Sequence, residues 1–245
     1  KPVRVSPRPR ALHRHCFAKI LADPRKVRYE SGRVRLSDRS THTQETVLGL
    51  IYYITQVQFD FGAIALARAE CERAGIRRPL ICTDRGVVAA GLLERLKSAL
   101  GDLPVAVFDD TPSNPTEAAV MKAVAAYRAH DADGLVALGG GSPIDLAKGV
   151  AIMATHPGVL ADYATILGGS PKITPGVAPL IAIPTTAGTG SEVARGAIII
   201  VDDHRKLGFH SWHLVPKAAI CDPELTLGLP PMLTAATGMD AIAHC

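Results

Sequence analysis

Apolar residues in this chain fall into short unbroken runs, separated by longer segments in which they recur every three to four positions. Residues 79–84 (PLICTD), 105–110 (VAVFDD), 135–138, 178–184 (APLIAIP), 197–201 and 218–221 are runs of strand length. Runs that are apolar throughout predict strands covered on both faces. Helical spacing predicts helices over residues 62–74, ended by Gly75, over 88–100, after Asn114, and over 143–154. Asn114 is placed to cap its helix, with Pro115 in the first turn, Glu117 completing a capping box, and Val120, Val124 and Tyr127 forming the buried stripe. Strands that alternate with helices of this length predict an α/β fold, a doubly wound parallel sheet of the Rossmann-like kind.

Outside that alternation, residues 48–62 (LGLIYYITQVQFDFG) predict an extended entry segment, and the small and turn residues of 158–176 predict a long loop. Asp202, Asp203 and His204 turn strand 197–201 back into 206–209 as a hairpin. After DPELTLGLPP a new helical region begins and runs to Cys245.

Composition narrows the class. With 245 residues, 47% of them hydrophobic, the chain can bury a sizeable core. No apolar run approaches the length of a membrane helix. Five scattered cysteines (16, 71, 82, 221 and 245), none in CxxC spacing, suggest neither a disulfide framework nor a thiolate zinc site, and a reducing cytoplasm fits best. The net charge of +4 belongs to one segment: residues 1–45 carry 12 Lys and Arg against 4 Asp and Glu, the rest 15 against 19. Without stacking aromatics or a recognised motif, that basic arm is not read as a nucleic-acid site, and its four prolines argue against an amphipathic targeting helix. It has no sustained periodicity, so residues 1–45 are expected to be a disordered or non-native extension.

Candidate chemistry concentrates in four places. Leu135–Leu138 run into Gly139, Gly140 and Gly141, which lack the Cβ that would keep a ligand from the backbone, and Ser142 is expected to cap the next helix with Pro143 at its first position. Free N–H groups and the positive helix end would then converge above the glycines, an arrangement that suits a pyrophosphate; the plain alternative is a glycine-rich turn. Thr185, Thr186, Thr189 and Ser191 offer four hydroxyls on a loop tightened by Gly188 and Gly190. Asp84 closes a strand where an acidic group can accept hydrogen bonds from an adenosine ribose, or serve only as a turn residue. Asp240 and His244, four apart on a helix, can reach one ion, although most such pairs are only neighbours.

The three segments GGGSPIDLAK, PTTAGTGSE and GMDAIAH, in this order, resemble the iron-containing (group III) alcohol dehydrogenases over roughly residues 48–245. The resemblance implies a dehydroquinate synthase-like α/β domain over 46–229 and the start, at 230–245, of an all-helical metal-binding domain continuing past Cys245, so the chain is read as truncated. It implies NAD bound at Gly139, Gly140, Gly141, Ser142, Thr185, Thr186, Thr189 and Ser191, with Asp84 favouring NAD over NADP and Asn114 and Lys206 beside the cofactor. It places Asp145 near the nicotinamide and substrate; an Asp145–Lys148 salt bridge is the competing account of that residue. It makes Asp240 and His244 half of a ligand set for Fe2+, or for Zn2+ or another divalent metal, with His204, His210 and His213 disfavoured as substitutes. The implied reaction is NAD-dependent interconversion of an alcohol or hydroxy acid with its aldehyde or ketone, by an enzyme that is a homo-oligomer at full length and has no membrane or nucleic-acid partner. Rival readings are a metal-independent reductase of the maleylacetate type and a non-catalytic nucleotide-binding fragment. Where the family often has SEVT, this chain has SEVAR, and Arg195 is a candidate partner for an acidic substrate.

Overall fold

The computed structural model describes residues 27–30, 33–36, 55–202 and 204–244. The chain divides into two units, residues 1–52 and 53–245. In the first, β1 (Val27–Glu30) pairs antiparallel with β2 (Arg33–Leu36), Val27 opposite Leu36 and Glu30 opposite Arg33. No element was expected there from the sequence; the remainder of 1–45, and the start of the extended segment expected from residue 48, lie outside the described residues.

The second unit runs β3 (Gln56–Phe59), α1 (Ala67–Arg73), β4 (Pro79–Cys82), α2 (Arg85–Ala89), α3 (Leu92–Leu100), β5 (Ala106–Phe108), α4 (Glu117–Ala129), β6 (Gly134–Gly139), α5 (Gly141–Thr155), β7 (Leu180–Pro184), β8 (Gly196–Ile200), β9 (Lys206–His210), β10 (Ala218–Cys221) and α6 (Pro231–His244). Among the described residues six strands form one sheet in the order β3-β10-β7-β6-β4-β5, and every neighbouring pair is parallel. The fold is therefore the doubly wound parallel α/β arrangement that the strand–helix alternation predicts. β8 and β9 form a separate antiparallel hairpin, Gly196 opposite His210 and Ile200 opposite Lys206.

Burial explains the unbroken apolar runs. Along β6, Leu135 and Ala137 enter the core beneath α4 and α5, while Val136 and Leu138 enter the core on the opposite face with α1 and α3. All four are fully buried. At α5 the apolar residues form no stripe because the helix is enclosed: Leu146 to Met153 are all buried, between the sheet, α4 and the β8–β9 hairpin.

Several local details differ from the sequence reading. The helix expected over 88–100 is two helices, broken at Gly91, whose φ of 77° lies in the left-handed region. α4 is capped by Thr116, whose hydroxyl accepts from the Ala119 N–H at 3.2 Å, not by Asn114. Glu117 completes no box; its carboxylate accepts from the Asp202 N–H at 3.1 Å. α5 begins at Gly141 with Gly140 as its cap residue, so Ser142 and Pro143 lie inside the first turn. The 158–176 loop contains three 3-10 turns, Leu160–Tyr163, Thr165–Leu167 and Ser170–Lys172.

The connections diverge at the middle of the sheet. β4 and β6 are neighbours, yet the helices following β4 pack on one face and α5, following β6, packs on the other. Such a divergence opens a crevice at the carboxyl ends of the two strands, where open α/β sheets bind ligands.

Candidate nucleotide and metal site

One wall of the crevice is the turn from β6 into α5. Gly139 has φ 151°, a conformation a side chain resists, and a Cβ there would come within 2.6 Å of Pro143. Gly140 and Gly141 lie tightly against the hydroxyl loop: a Cβ would lie 3.0 Å from Thr186 Oγ1 at the first and 2.9 Å from Thr189 Cγ2 at the second. The glycine turn and the hydroxyl loop thus face each other in contact, although more than forty residues separate them. Gly140 supplies no side-chain cap, so the N–H groups of Gly141 and Ser142 are left to other acceptors. Ser142 Oγ instead donates to the Ser113 carbonyl at 2.6 Å, tying the first turn of α5 to the 109–114 segment.

The hydroxyl loop is anchored at its start and braced within itself. Thr185 is buried and its N–H donates to the Gly139 carbonyl at 3.0 Å; Thr189 Oγ1 donates to Ser191 Oγ at 3.1 Å. Gly188, with φ 146°, is where α6 closes on the loop: a Cβ would stand 2.8 Å from the Thr237 carbonyl and 2.9 Å from Asp240 Oδ2.

Beyond the glycine turn a cavity of about 510 Å³ opens at the ends of β4 and β5, lined by Asp84, Arg85, Asp109, Asp110, Ser113 and Lys122 among others. Asp84 caps α2, its Oδ1 accepting from the Val87 N–H at 2.9 Å. Asp110 holds the Arg85 guanidinium at 2.9 Å and has the Lys122 ammonium at 3.8 Å, so the two cations beside the cavity lean toward a carboxylate of its own wall. Sequence reasoning did not single out Asp109, Asp110, Arg85 or Lys122. The acidic pair at the end of the VAVFDD run was their available signal.

Asn114 and Lys206 meet, the ammonium donating to Asn114 Oδ1 at 3.0 Å, at the rim formed by the hairpin and the segment before α4. Asp145 and Lys148 form no ion pair. Asp145 Oδ2 accepts from the Ile198 N–H at 2.9 Å, and its Oδ1 is buried without a hydrogen-bond partner among the described residues. Burial pushes this carboxyl above its ordinary range, against the opposing pull of the Ile198 N–H and the Lys148 charge. Lys148 is fully buried and donates to three main-chain carbonyls; burial pulls its ammonium down to about 8.

On α6, His244 Nδ1 lies 3.7 Å from Asp240 Oδ1 and 2.9 Å from the Asp240 carbonyl, which leaves Nε2 outside these two contacts. A carboxylate and an imidazole are donor types that suit a borderline divalent cation. Among the described residues no group of three His, Cys, Asp or Glu side chains forms a cage. His210 is engaged with Thr165 Oγ1 at 3.0 Å. Arg195 stacks over the Trp212 ring at 4.5 Å, an alternative use of the guanidinium to the acidic-substrate contact. The thiols of Cys71 and Cys82 are pushed up to about 12 by burial, which suits inert core residues.

A doubly wound parallel sheet with a glycine turn and a helix start at its switch point places the chain among the Rossmann-like α/β folds. Comparison with known proteins narrows that class: residues 55–223 match the family described as iron-containing alcohol dehydrogenase, and the chain belongs to it. Over 198 residues it is 70% identical to a 4-hydroxybutyrate dehydrogenase of Cupriavidus necator, covering 81% of this chain and 52% of that protein. A crystal structure of 1,3-propanediol oxidoreductase superposes with a TM-score of 0.74 at 36% identity, covering 80% of this chain and 51% of that one. Sulfoacetaldehyde reductase of Bifidobacterium kashiwanohense in complex with NAD+ superposes with a TM-score of 0.70 at 33% identity, covering 79% and 51%. The chain spans about half the length of the relatives it matches. Among the described residues no helix is long and apolar enough to cross a membrane.

Proposed function

We propose that this chain is the nicotinamide-nucleotide-binding part of a dehydrogenase that interconverts a short alcohol or hydroxy acid with its aldehyde or ketone, using NAD and a divalent metal. The observation that carries the proposal is the packed facing of two loops at the switch point, where a Cβ on Gly140 or Gly141 would press within about 3 Å of Thr186 or Thr189. In this reading the N–H groups of Gly141 and Ser142 donate to the pyrophosphate, and Thr186 and Thr189 close over it from the other side. Asp84 accepts from the adenosine ribose, and the carboxylates of Asp84, Asp109 and Asp110 together oppose a 2′-phosphate. Asn114 and Lys206 border the cofactor as one hydrogen-bonded pair.

The α/β domain, in this reading, runs to residue 229, and 230–245 begin a helical one. Bound NAD supplies the hydride acceptor, and a metal held in part by Asp240 and His244 supplies Lewis-acid polarisation of the substrate oxygen. This chain's residues then orient and enclose. The contact of Gly188 with Thr237 and Asp240 sets the ligand-bearing helix directly against the hydroxyl loop, so the ion pocket and the cofactor loop share one boundary. The identity with the Cupriavidus necator protein supports a 4-hydroxy acid as substrate.

Calorimetric titration of the 245-residue chain with NADH tests the reading. One equivalent bound, with weaker NADPH, is expected; no uptake of either nucleotide refutes it. Metal analysis separates it from a metal-independent reductase, which would bind NADH and retain no Fe2+ or Zn2+.

A further inference from the structure

Lys148 is among the largest fully buried side chains, and it lies within the otherwise apolar run from Leu146 to Met153. Taking an ammonium out of water is costly, and least so when every N–H finds an acceptor. Here all three do: the carbonyls of Ser191 at 2.7 Å, Ala194 at 2.9 Å and Gly196 at 2.7 Å. The three acceptors belong to one stretch, the link between the hydroxyl loop and β8. One turn away on α5, Asp145 takes the Ile198 N–H of the same stretch. A single turn of α5 therefore holds four main-chain groups between residues 191 and 198.

Most of that stretch is neither helix nor strand, so little of its own backbone bonding fixes it. α5 is also the helix whose start carries Gly141 and Ser142. Both halves of the cradle are thus referred to one rigid element, the glycine turn by covalent continuity and the hydroxyl loop through Lys148.

We propose that Lys148 is a positioning residue that pins residues 191–196 to α5 and thereby holds the Thr185–Ser191 loop closed over Gly140 and Gly141 before any ligand arrives. The affinity consequence rests on the cofactor reading given above; the loop-holding role does not. Removing the pin lets the loop leave its closed position, and a ligand that needs the closed loop binds in proportion to the fraction still closed. If that fraction falls to one tenth, affinity falls about tenfold.

The test uses Lys148→Met in the 245-residue chain, with amide hydrogen exchange measured without ligand and affinities measured for NADH and for adenosine, which lacks the phosphates and reaches only the Asp84 cavity. Expected are faster exchange over residues 185–198 with unchanged exchange in β6 and α4, about tenfold weaker NADH, and unaltered adenosine. Lys148→Gln, which keeps two N–H donors, should recover part of the NADH loss, and it serves as the test variant if the methionine form does not fold. Ile152→Ala, a core change on the same helix, controls for lost stability and should leave the NADH-to-adenosine ratio alone. Unchanged exchange over 185–198, or NADH and adenosine weakening together, overturns the proposal. A wild-type chain that binds no NADH overturns the cofactor reading and the affinity consequence with it, while exchange still decides whether Lys148 holds the loop.

Discussion

Gly140→Val separates the space above the glycine turn from the conformation of the turn itself. Gly140 has φ −75° and ψ −161°, an extended conformation open to any residue, so valine introduces no backbone strain. Its Cβ would lie 3.0 Å from Thr186 Oγ1, a contact the hydroxyl can relieve by a few tenths of an ångström, and its methyl groups would reach further into the crevice. Overpacking of this kind costs about 1–3 kcal/mol of stability, which leaves a domain of this size folded. Binding should suffer far more. A branched side chain at this position holds a phosphate away from the Gly141 and Ser142 N–H groups, and two charge-assisted hydrogen bonds are worth roughly 3–6 kcal/mol together. That corresponds to a loss of at least about a hundredfold in affinity. Calorimetry with NADH, beside thermal unfolding of the same sample, reads both quantities. A folded variant with wild-type NADH affinity would refute the placement of the pyrophosphate.

Asp84→Ser should move the NADPH-to-NADH affinity ratio toward NADPH, and adding Asp110→Asn should move it further by releasing Arg85 and Lys122 toward the cavity; dissociation constants for both nucleotides decide this, and an unaltered ratio removes Asp84 from the site. Gly188→Ala combines an unfavourable φ of 146° with a clash against Thr237 and Asp240, and should lower stability by about 2 kcal/mol or more while shifting α6, measurable by denaturant unfolding and by exchange in residues 231–244. The buried Lys148 ammonium titrates at about 8, against an ordinary 10.5. Its cost to the fold is therefore fully present below pH 8 and relieved as pH rises from 8 toward 10, because over that range the unfolded chain binds the extra proton. Wild-type stability minus that of Lys148→Met should accordingly rise by up to about 3 kcal/mol across that window, and a flat difference would contradict the burial of a charged lysine.

The sheet was readable from the chain because burial on both faces leaves an unmistakable mark: Leu135 to Leu138 and Leu180 to Ile183 are apolar at every position. Capping was read less well, since a cap is chosen by what else competes for the side chain. Asn114 has the right chemistry for a cap, but its amide oxygen is taken by Lys206, 92 residues away, and Thr116 caps instead. Ser142 likewise gives its hydroxyl to Ser113. Lys148 is the clearest case. Spacing offered a salt bridge to Asp145, whereas the structure supplies three carbonyls from a segment more than forty residues on, which no local rule anticipates. A lysine inside an apolar helical run was the one sign that something unusual holds it. The glycine and hydroxyl loops were legible as separate motifs, and only their contact at Thr186 and Thr189 required the fold.

The most direct test of the central claim is a crystal structure of the 245-residue chain grown with NAD+. Electron density for the pyrophosphate above Gly139 to Ser142, with the hydroxyls of Thr186 and Thr189 on its other side and the adenosine ribose within hydrogen-bond reach of Asp84, is the expected result. A dinucleotide bound elsewhere on the chain, with the β4–β6 crevice empty, would contradict it.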